Sequence, residues 1–141
     1  MYKKILIPVD GSQPSDKAVE HGVALAEKLG AQVVIFNVVQ PVSYHVPQGF
    51  VYTDMLSEKI MDWGLQILDE YKKRFQTEKI AIKTDIATGM PADVICEKAE
   101  KEKFDLVVIG SQGLSASLRI LLGSVSDRVS RRCPCPVLIV R

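Results

Sequence analysis

A chain of 141 residues, 47% hydrophobic and 25% charged, has the composition of one globular domain and is too apolar for disorder. At that length it can bury roughly 70% of its unfolded surface, so a core needs neither disulfides nor a structural metal. Eighteen basic residues against seventeen acidic ones leave a net charge of +1, which excludes the basic footprint that nucleic acid or an anionic membrane surface would require.

The first element is the apolar run Ile5 to Val9, a strand buried on both faces. Pro8 lies near its end, where a missing ladder donor is tolerated. Asp10-Gly11-Ser12 breaks the run, and Ser12 or Gln13 is placed to cap a helix whose Ala18, Gly22, Leu25, Ala26 and Leu29 share one face. Gly30 stops it. Gln32 to Val39 is a second buried strand, parallel to the first because a helix connects them. Gln40 to Thr53, with Pro41, Pro47 and Gly49, reads as a long loop suited to covering a ligand.

Asp54 to Phe75 is a long helix with Leu56, Ile60, Trp63, Ile67 and Tyr71 on its buried stripe. Gly64 interrupts it at a cost of about 1 kcal/mol relative to Ala. Ile80 to Ala87 alternates apolar and polar residues, the pattern of a less covered edge strand. Thr88 to Pro91 turns into a third helix that buries Val94, Ile95 and Ala99. Phe104 to Ile109 is a fourth strand. Gly123 or Ser124 opens a fourth helix, with Val125, Val129 and Cys133 on one face, and Val137 to Val140 closes the chain as a fifth strand.

Five strands alternating with four helices specify an α/β domain spanning 1–141, an open parallel sheet with helices on both faces. Ligands in such sheets bind at the carboxyl ends of strands, where the winding reverses. The two strand ends with unusual chemistry are Asp10-Gly11-Ser12 and Gly110 to Gly113. The order 3-2-1-4-5 is the economical one that brings them together.

The spacing Gly110-x2-Gly113-x9-Gly123-Ser124 sits at a strand end and a helix start. Glycines there let backbone N–H groups approach a ligand, and the helix start offers unpaired donors and a positive dipole end. The same glycines can equally serve as plain turn residues, and Asp10 as a helix cap. Taken with the opening KKILIPVDGS and the closing CPCPVLIV, the pattern resembles the universal stress protein family along essentially the whole chain. The resemblance implies a Rossmann-like fold of the adenine nucleotide alpha hydrolase type and an ATP site (or one for AMP). Gly110, Gly113, Gly123 and Ser124 would hold phosphates and part of the ribose, with the Val125 and Ser126 amides adding to them. Asp10 would accept from ribose hydroxyls, and the backbone around Pro8, Val9 and Val38 would recognise adenine. A divalent ion, Mg²⁺ or Mn²⁺, would be held through the phosphates and not by a protein metal site.

Other chemistries find no support in the residues. There is no G-x4-G-K-[ST] and no G-x-G-x-x-G after the first strand. Pro8 stands where an aspartate-nucleophile phosphatase needs its nucleophile. His21 lies on a helix away from the strand ends, His45 lies in the loop, and neither has a nucleophilic partner at recognisable spacing. Ser12 and Ser15 read as capping residues, Thr88 and Gly89 as a turn or a border of the adenine pocket, and Arg119 as a solvated side chain in the nine-residue spacer. The three cysteines, Cys96, Cys133 and Cys135, lack framework spacing, and the last two read as packing residues. MYKKILIPVD lacks the long apolar region of a secretory leader, and no run approaches the ~20 apolar residues of a bilayer span.

The expected protein is therefore a cytoplasmic, nucleotide-linked stress-response regulator with no catalytic residues, bound to neither nucleic acid nor membrane. Its fifth strand, an apolar edge, is expected to pair two copies in a homodimer. A slow ATP hydrolase or nucleotide-transferring enzyme, and a nucleotide-free protein acting through protein contacts, are the alternatives.

Overall fold

Side-chain alternation along the central strands divides the core into two layers, one on each side of a single sheet. A computed structural model describes residues 1–41, 50–113 and 121–141. Residues 42–49 of the expected loop, with His45, and the spacer residues 114–120, with Arg119, lie outside the described residues. Strands β1 (Lys4–Pro8), β2 (Gln32–Val39), β3 (Ile82–Thr88), β4 (Leu106–Gly110) and β5 (Val137–Val140) form a parallel sheet in the order β3-β2-β1-β4-β5. This is the order expected from the chemistry of the strand ends.

Helices α1 (Gln13–Leu29) and α2 (Phe50–Phe75) cover one face, where Ala18, Val19, Val23, Ile67 and Leu68 meet Ile5, Ile7, Val33, Ile35 and Val108. Helices α3 (Pro91–Lys101) and α4 (Ser124–Arg132) cover the other, where Ala92, Ile95, Ala99 and Val129 meet Leu6, Val34, Phe36, Val107 and Ile109. Adjacent strand residues thus point to opposite layers, which is why the strands read as unbroken apolar runs. Among the described residues, no helix is long and apolar enough to cross a membrane.

Several local expectations change. The N-cap of α1 is Ser12, whose hydroxyl accepts from the Ser15 N–H. Leu29 is exposed at the end of α1, and Val19 and Val23 take buried places in its stead. Gly30 ends α1 at φ 66, a left-handed position that Gly adopts without a Cβ clash. Helix α2 begins at Phe50, so the last residues assigned to the loop are helical. Their β-branched and aromatic side chains are weak helix formers, and extension of an already long helix overrides that preference. Strand β3 begins at Ile82, not Ile80, because Ile80 is bridged to Thr77 in a small turn. Its mostly exposed residues confirm an edge position.

Gly64 has a role that composition does not reveal. A Cβ there would lie 2.7 Å from Asn37 Oδ1 and 2.8 Å from Ile86 Cδ1. The glycine lets α2 settle against β2 and β3, and the buried Asn37 cannot yield, because its Nδ2 donates to the Val9 carbonyl at 2.8 Å. Helix propensity alone would make Gly64→Ala stabilising by about 1 kcal/mol. Overpacking costs about 1–3 kcal/mol in such settings, so we expect Gly64→Ala to lower stability. Urea denaturation reads the sign directly, and a raised midpoint would show that α2 has room to move.

Candidate functional site

The ladder between β1 and β4 is short. Ile5 pairs with Leu106 and Leu6 with Val107, whereas β1 stays paired with β2 as far as Pro8 and Phe36. Val9 then continues toward β2, donating its N–H to the Phe36 carbonyl at 2.8 Å. The carboxyl ends of β1 and β4 consequently part, as they must where the chain winds in opposite directions from a central strand. A cavity of about 620 Å³ opens there.

Helix α4 starts beside this crevice and is fastened by three contacts. The Ser126 hydroxyl donates to the Gly110 carbonyl at 2.6 Å. The Gly123 N–H donates to the Ser111 carbonyl at 2.7 Å, and the Ser111 N–H donates to Val140 at 2.8 Å. The Gln112 amide also donates to the Leu121 carbonyl at 2.8 Å, joining the two described ends of the spacer. Gly123 is the N-cap and supplies no capping side chain, so the first amides of α4 are not covered by one. Such a helix start favours an anion through its N–H groups and dipole.

Asp10 is held in place by the turn that follows β1. Its Oδ1 accepts from the Ser12 N–H at 3.0 Å and from the Ser15 hydroxyl at 2.8 Å, while its own N–H donates to Ser15 Oγ at 2.9 Å. Ser15 is thus a positioning partner for Asp10, in addition to giving its N–H to the Ser12 cap. Asp10 Oδ2 faces Gly113 so closely that a Cβ on Gly113 would sit 2.5 Å from it. Gly110 is packed against the start of α1, where an added Cβ would lie 2.6 Å from the Pro14 carbonyl oxygen. Gly113 and Gly110 have ordinary φ values, so it is space and not dihedral freedom that demands glycine at both.

All ten residues singled out in the sequence line the one cavity: Pro8, Val9, Asp10 and Val38 on one side, and Gly110, Gly113, Gly123, Ser124, Val125 and Ser126 on the other. Thr88 and Gly89 are not among its walls; Gly89 instead makes the turn after β3, donating to the Val39 carbonyl. Other wall residues escaped the sequence reading. Trp63 was placed on the buried stripe of α2 but is 46% exposed, and it lines the cavity with Ile60. Asn37, the one polar residue inside the apolar part of β2, carried a visible signal that went unused. Pro91 and Ile95 of α3 form the opposite wall.

A smaller cavity of about 340 Å³ lies between α1 and α2, and Trp63 borders both. There the Tyr71 hydroxyl donates to Asp16 at 2.5 Å. Burial, that hydrogen bond and the negative charges of Asp16 and Asp10 push the phenol far above its ordinary pKa. Tyr71 therefore stays neutral and structural. Among the described residues there is no cluster of three or more acidic, His or Cys side chains able to hold a metal ion.

Comparison with known proteins adds relatives to this geometry. A model of the universal stress protein family matches residues 1–141. The universal stress protein MJ0531 of Methanocaldococcus jannaschii is 38% identical over 141 residues, covering 100% of this chain and 83% of its own. The solved structure of universal stress protein UspA from Lactobacillus plantarum superposes with a TM-score of 0.91 at 27% identity, covering 99% of this chain and 98% of that one. A universal stress protein crystallised in complex with cAMP superposes with a TM-score of 0.74 at 31% identity, over 99% of this chain and 97% of that one.

The crowding at Gly110 generates a stability prediction. In Gly110→Ala the new methyl meets backbone atoms of Pro14 and the ring Cβ at 2.6–2.8 Å, none of which can swing aside. A loss of about 2 kcal/mol or more is expected, measured by chemical denaturation. Unchanged stability would show that the α1 start is not wedged against β4.

Proposed function

The chain belongs to the universal stress protein family, and on that footing we propose that it binds ATP, or another adenine nucleotide such as AMP, and acts as a nucleotide-linked stress-response regulator in the cytoplasm. The observation that carries the reading is the convergence of Asp10, Gly110, Gly113 and the start of α4 on one crevice. Its volume, about 620 Å³, falls in the range of small-molecule sites. The relative solved with cAMP supports the ligand class.

In this reading the phosphates lie against the amides of Ser124, Val125 and Ser126, where the helix dipole favours them. Gly110, Gly113 and Gly123 allow that approach by letting the β4 end, the Asp10 turn and the start of α4 pack closely around the crevice. A Cβ at these positions would press on Pro14, on the Asp10 carboxylate and on Gln112 respectively. Asp10 presents its carboxylate to ribose hydroxyls from a turn fixed by Ser12 and Ser15. Pro8, Val9 and Val38 border the adenine end. A divalent ion, Mg²⁺ or Mn²⁺, fits as a companion of the phosphates, since Asp10 is the only carboxylate among the described residues of the cavity wall.

The same wall favours holding over hydrolysing. Among its described residues there is no His, Lys or second carboxylate to serve as a general base, and Asp10 is committed to its turn through Oδ1. Denaturing the purified protein and identifying released nucleotide by mass spectrometry tests occupancy, and calorimetric titration of ATP with Mg²⁺ tests affinity. We expect an adenine nucleotide in the supernatant or a clear binding isotherm, weakened at least ~10-fold in Gly123→Val, a difference of about 1.4 kcal/mol. A Cβ at Gly123 would already lie 3.2 Å from the Gln112 Cα. Neither nucleotide nor heat would remove the proposal, and fast multiple-turnover hydrolysis would replace it with the enzyme reading.

We also propose a homodimer through β5. The strand order leaves β5 at a sheet edge, and Leu138 on it is 39% exposed. An apolar edge of that kind is stabilised by pairing with or packing on a second copy. Light scattering at micromolar concentration is expected to give twice the chain mass of 15.6 kDa; a monomer there would overturn the dimer without touching the nucleotide site.

A further inference from the structure

The three cysteines lie on the face of the sheet covered by α3 and α4, and they are not mere filling. Cys96 is on α3, Cys133 caps the C-terminus of α4, and Cys135 follows just before β5. All three thiols are free and half-buried, packed against the same apolar layer. Cys96 Sγ and Cys133 Sγ are 2.6 Å apart, little more than the ~2.05 Å of a sulfur–sulfur bond. The two residues are separated by 37 positions in sequence and are brought together only by the packing of α3 on α4. Cys135 is separated from Cys133 by Pro134 alone, a span across which a disulfide does not close easily.

We propose that Cys96 and Cys133 form a reversible intramolecular disulfide, a modification site that clamps α3 to the end of α4. The oxidant is a hydroperoxide. One thiol, as its thiolate, attacks a peroxide oxygen; the O–O bond breaks, water leaves after proton uptake, and a sulfenic acid remains. The second thiolate attacks that sulfur, the S–O bond breaks and a second water departs. Two thiols and one hydrogen peroxide thus give one disulfide and two waters, and a dithiol reductant returns both protons and electrons.

Burial, the contact with Cys96 and the neighbouring thiols push the Cys133 pKa well up, and burial with Cys96 and Asp105 raises that of Cys135. Scarce thiolate on Cys133 slows closure. The consequence reaches the crevice. Pro91 and Ile95 of α3, and Ser124 to Ser126 of α4, are walls of the cavity, and Ile95 is the neighbour of Cys96. A bond between the helices stiffens both walls.

The test uses the folded wild-type chain, exposed to hydrogen peroxide, trapped with N-ethylmaleimide and digested without reductant. Mass spectrometry is expected to find the Cys96 and Cys133 peptides joined, two hydrogens lighter than their sum, with Cys135 carrying maleimide and dithiothreitol reversing the bond. Cys135→Ser is expected to retain the link. Hydrogen exchange should slow in α3 and in the last turn of α4 of the oxidised protein. The proposal is overturned if prolonged oxidation of protein that keeps its circular dichroism leaves Cys96 and Cys133 unlinked. It is equally overturned by links that run through Cys135 or between chains, or by helix exchange rates that do not change. None of these readouts depends on nucleotide binding.

Discussion

The parting of β1 from β4 is the constraint on which the rest of the molecule depends. Two helices after β1 cross one face of the sheet, and two after β3 cross the other, so the strands next to the reversal cannot be bridged at their carboxyl ends by a single connection. Their shared ladder reaches only Leu6 and Val107. Beyond it β1 follows β2, β4 follows β5, and the space between them belongs to whatever the loops place there. The crevice is therefore a product of winding direction before it is a product of any particular side chain.

What makes that crevice specific is the use of small residues to let backbone approach backbone. Gly110 is wedged against Pro14, Gly113 against the Asp10 carboxylate, and Gly123 against Ser111 and Gln112. None of the three has a positive φ, so a methyl group is opposed by its neighbours and not by the Ramachandran map. The opposition is most severe at Gly110, where the methyl would meet the Pro14 backbone, and least at Gly123, where it would come no closer than 3.2 Å. The polar groups around them are spent on holding this geometry. Ser126 secures the Gly110 carbonyl, Ser111 links β5 to the helix start, and Ser12 with Ser15 fixes Asp10. Among the described residues, no buried side-chain nitrogen or oxygen lacks a hydrogen-bond partner, as expected for a site pre-formed before any ligand arrives.

The central strands β1, β2 and β4 were legible because both of their faces are buried, which turns each into an unbroken apolar run. The edge strand β3 was legible by its alternation, and the helices because only one face is buried. The places where the reading slipped share a physical origin. Trp63 and Leu29 fit a helical stripe but are about half exposed. A periodicity specifies a direction around the helix axis, not the extent of the surface opposite it. Gly64 looked like a defect because its justification, Asn37 and Ile86, lies on two other elements. The first turn of α2 was hidden by residues of weak helix propensity, which a long helix tolerates.

The sequence by itself determined the number and kind of elements and the parallel sheet, because apolar periodicity and turn residues are local properties that survive without a fold. The ten residues that now face one cavity came from what the family resemblance implies. Only the tertiary structure decided that Asp10 is gripped by Ser12 and Ser15, that Trp63 and Ile95 wall the crevice, and that Cys96 meets Cys133. The first is the detailed geometry of a local turn; the other two depend on elements distant in the chain arriving at one place. Such meetings are set by how helices of particular length and bulk seat on a twisted sheet, a relation between surfaces that no linear spacing encodes.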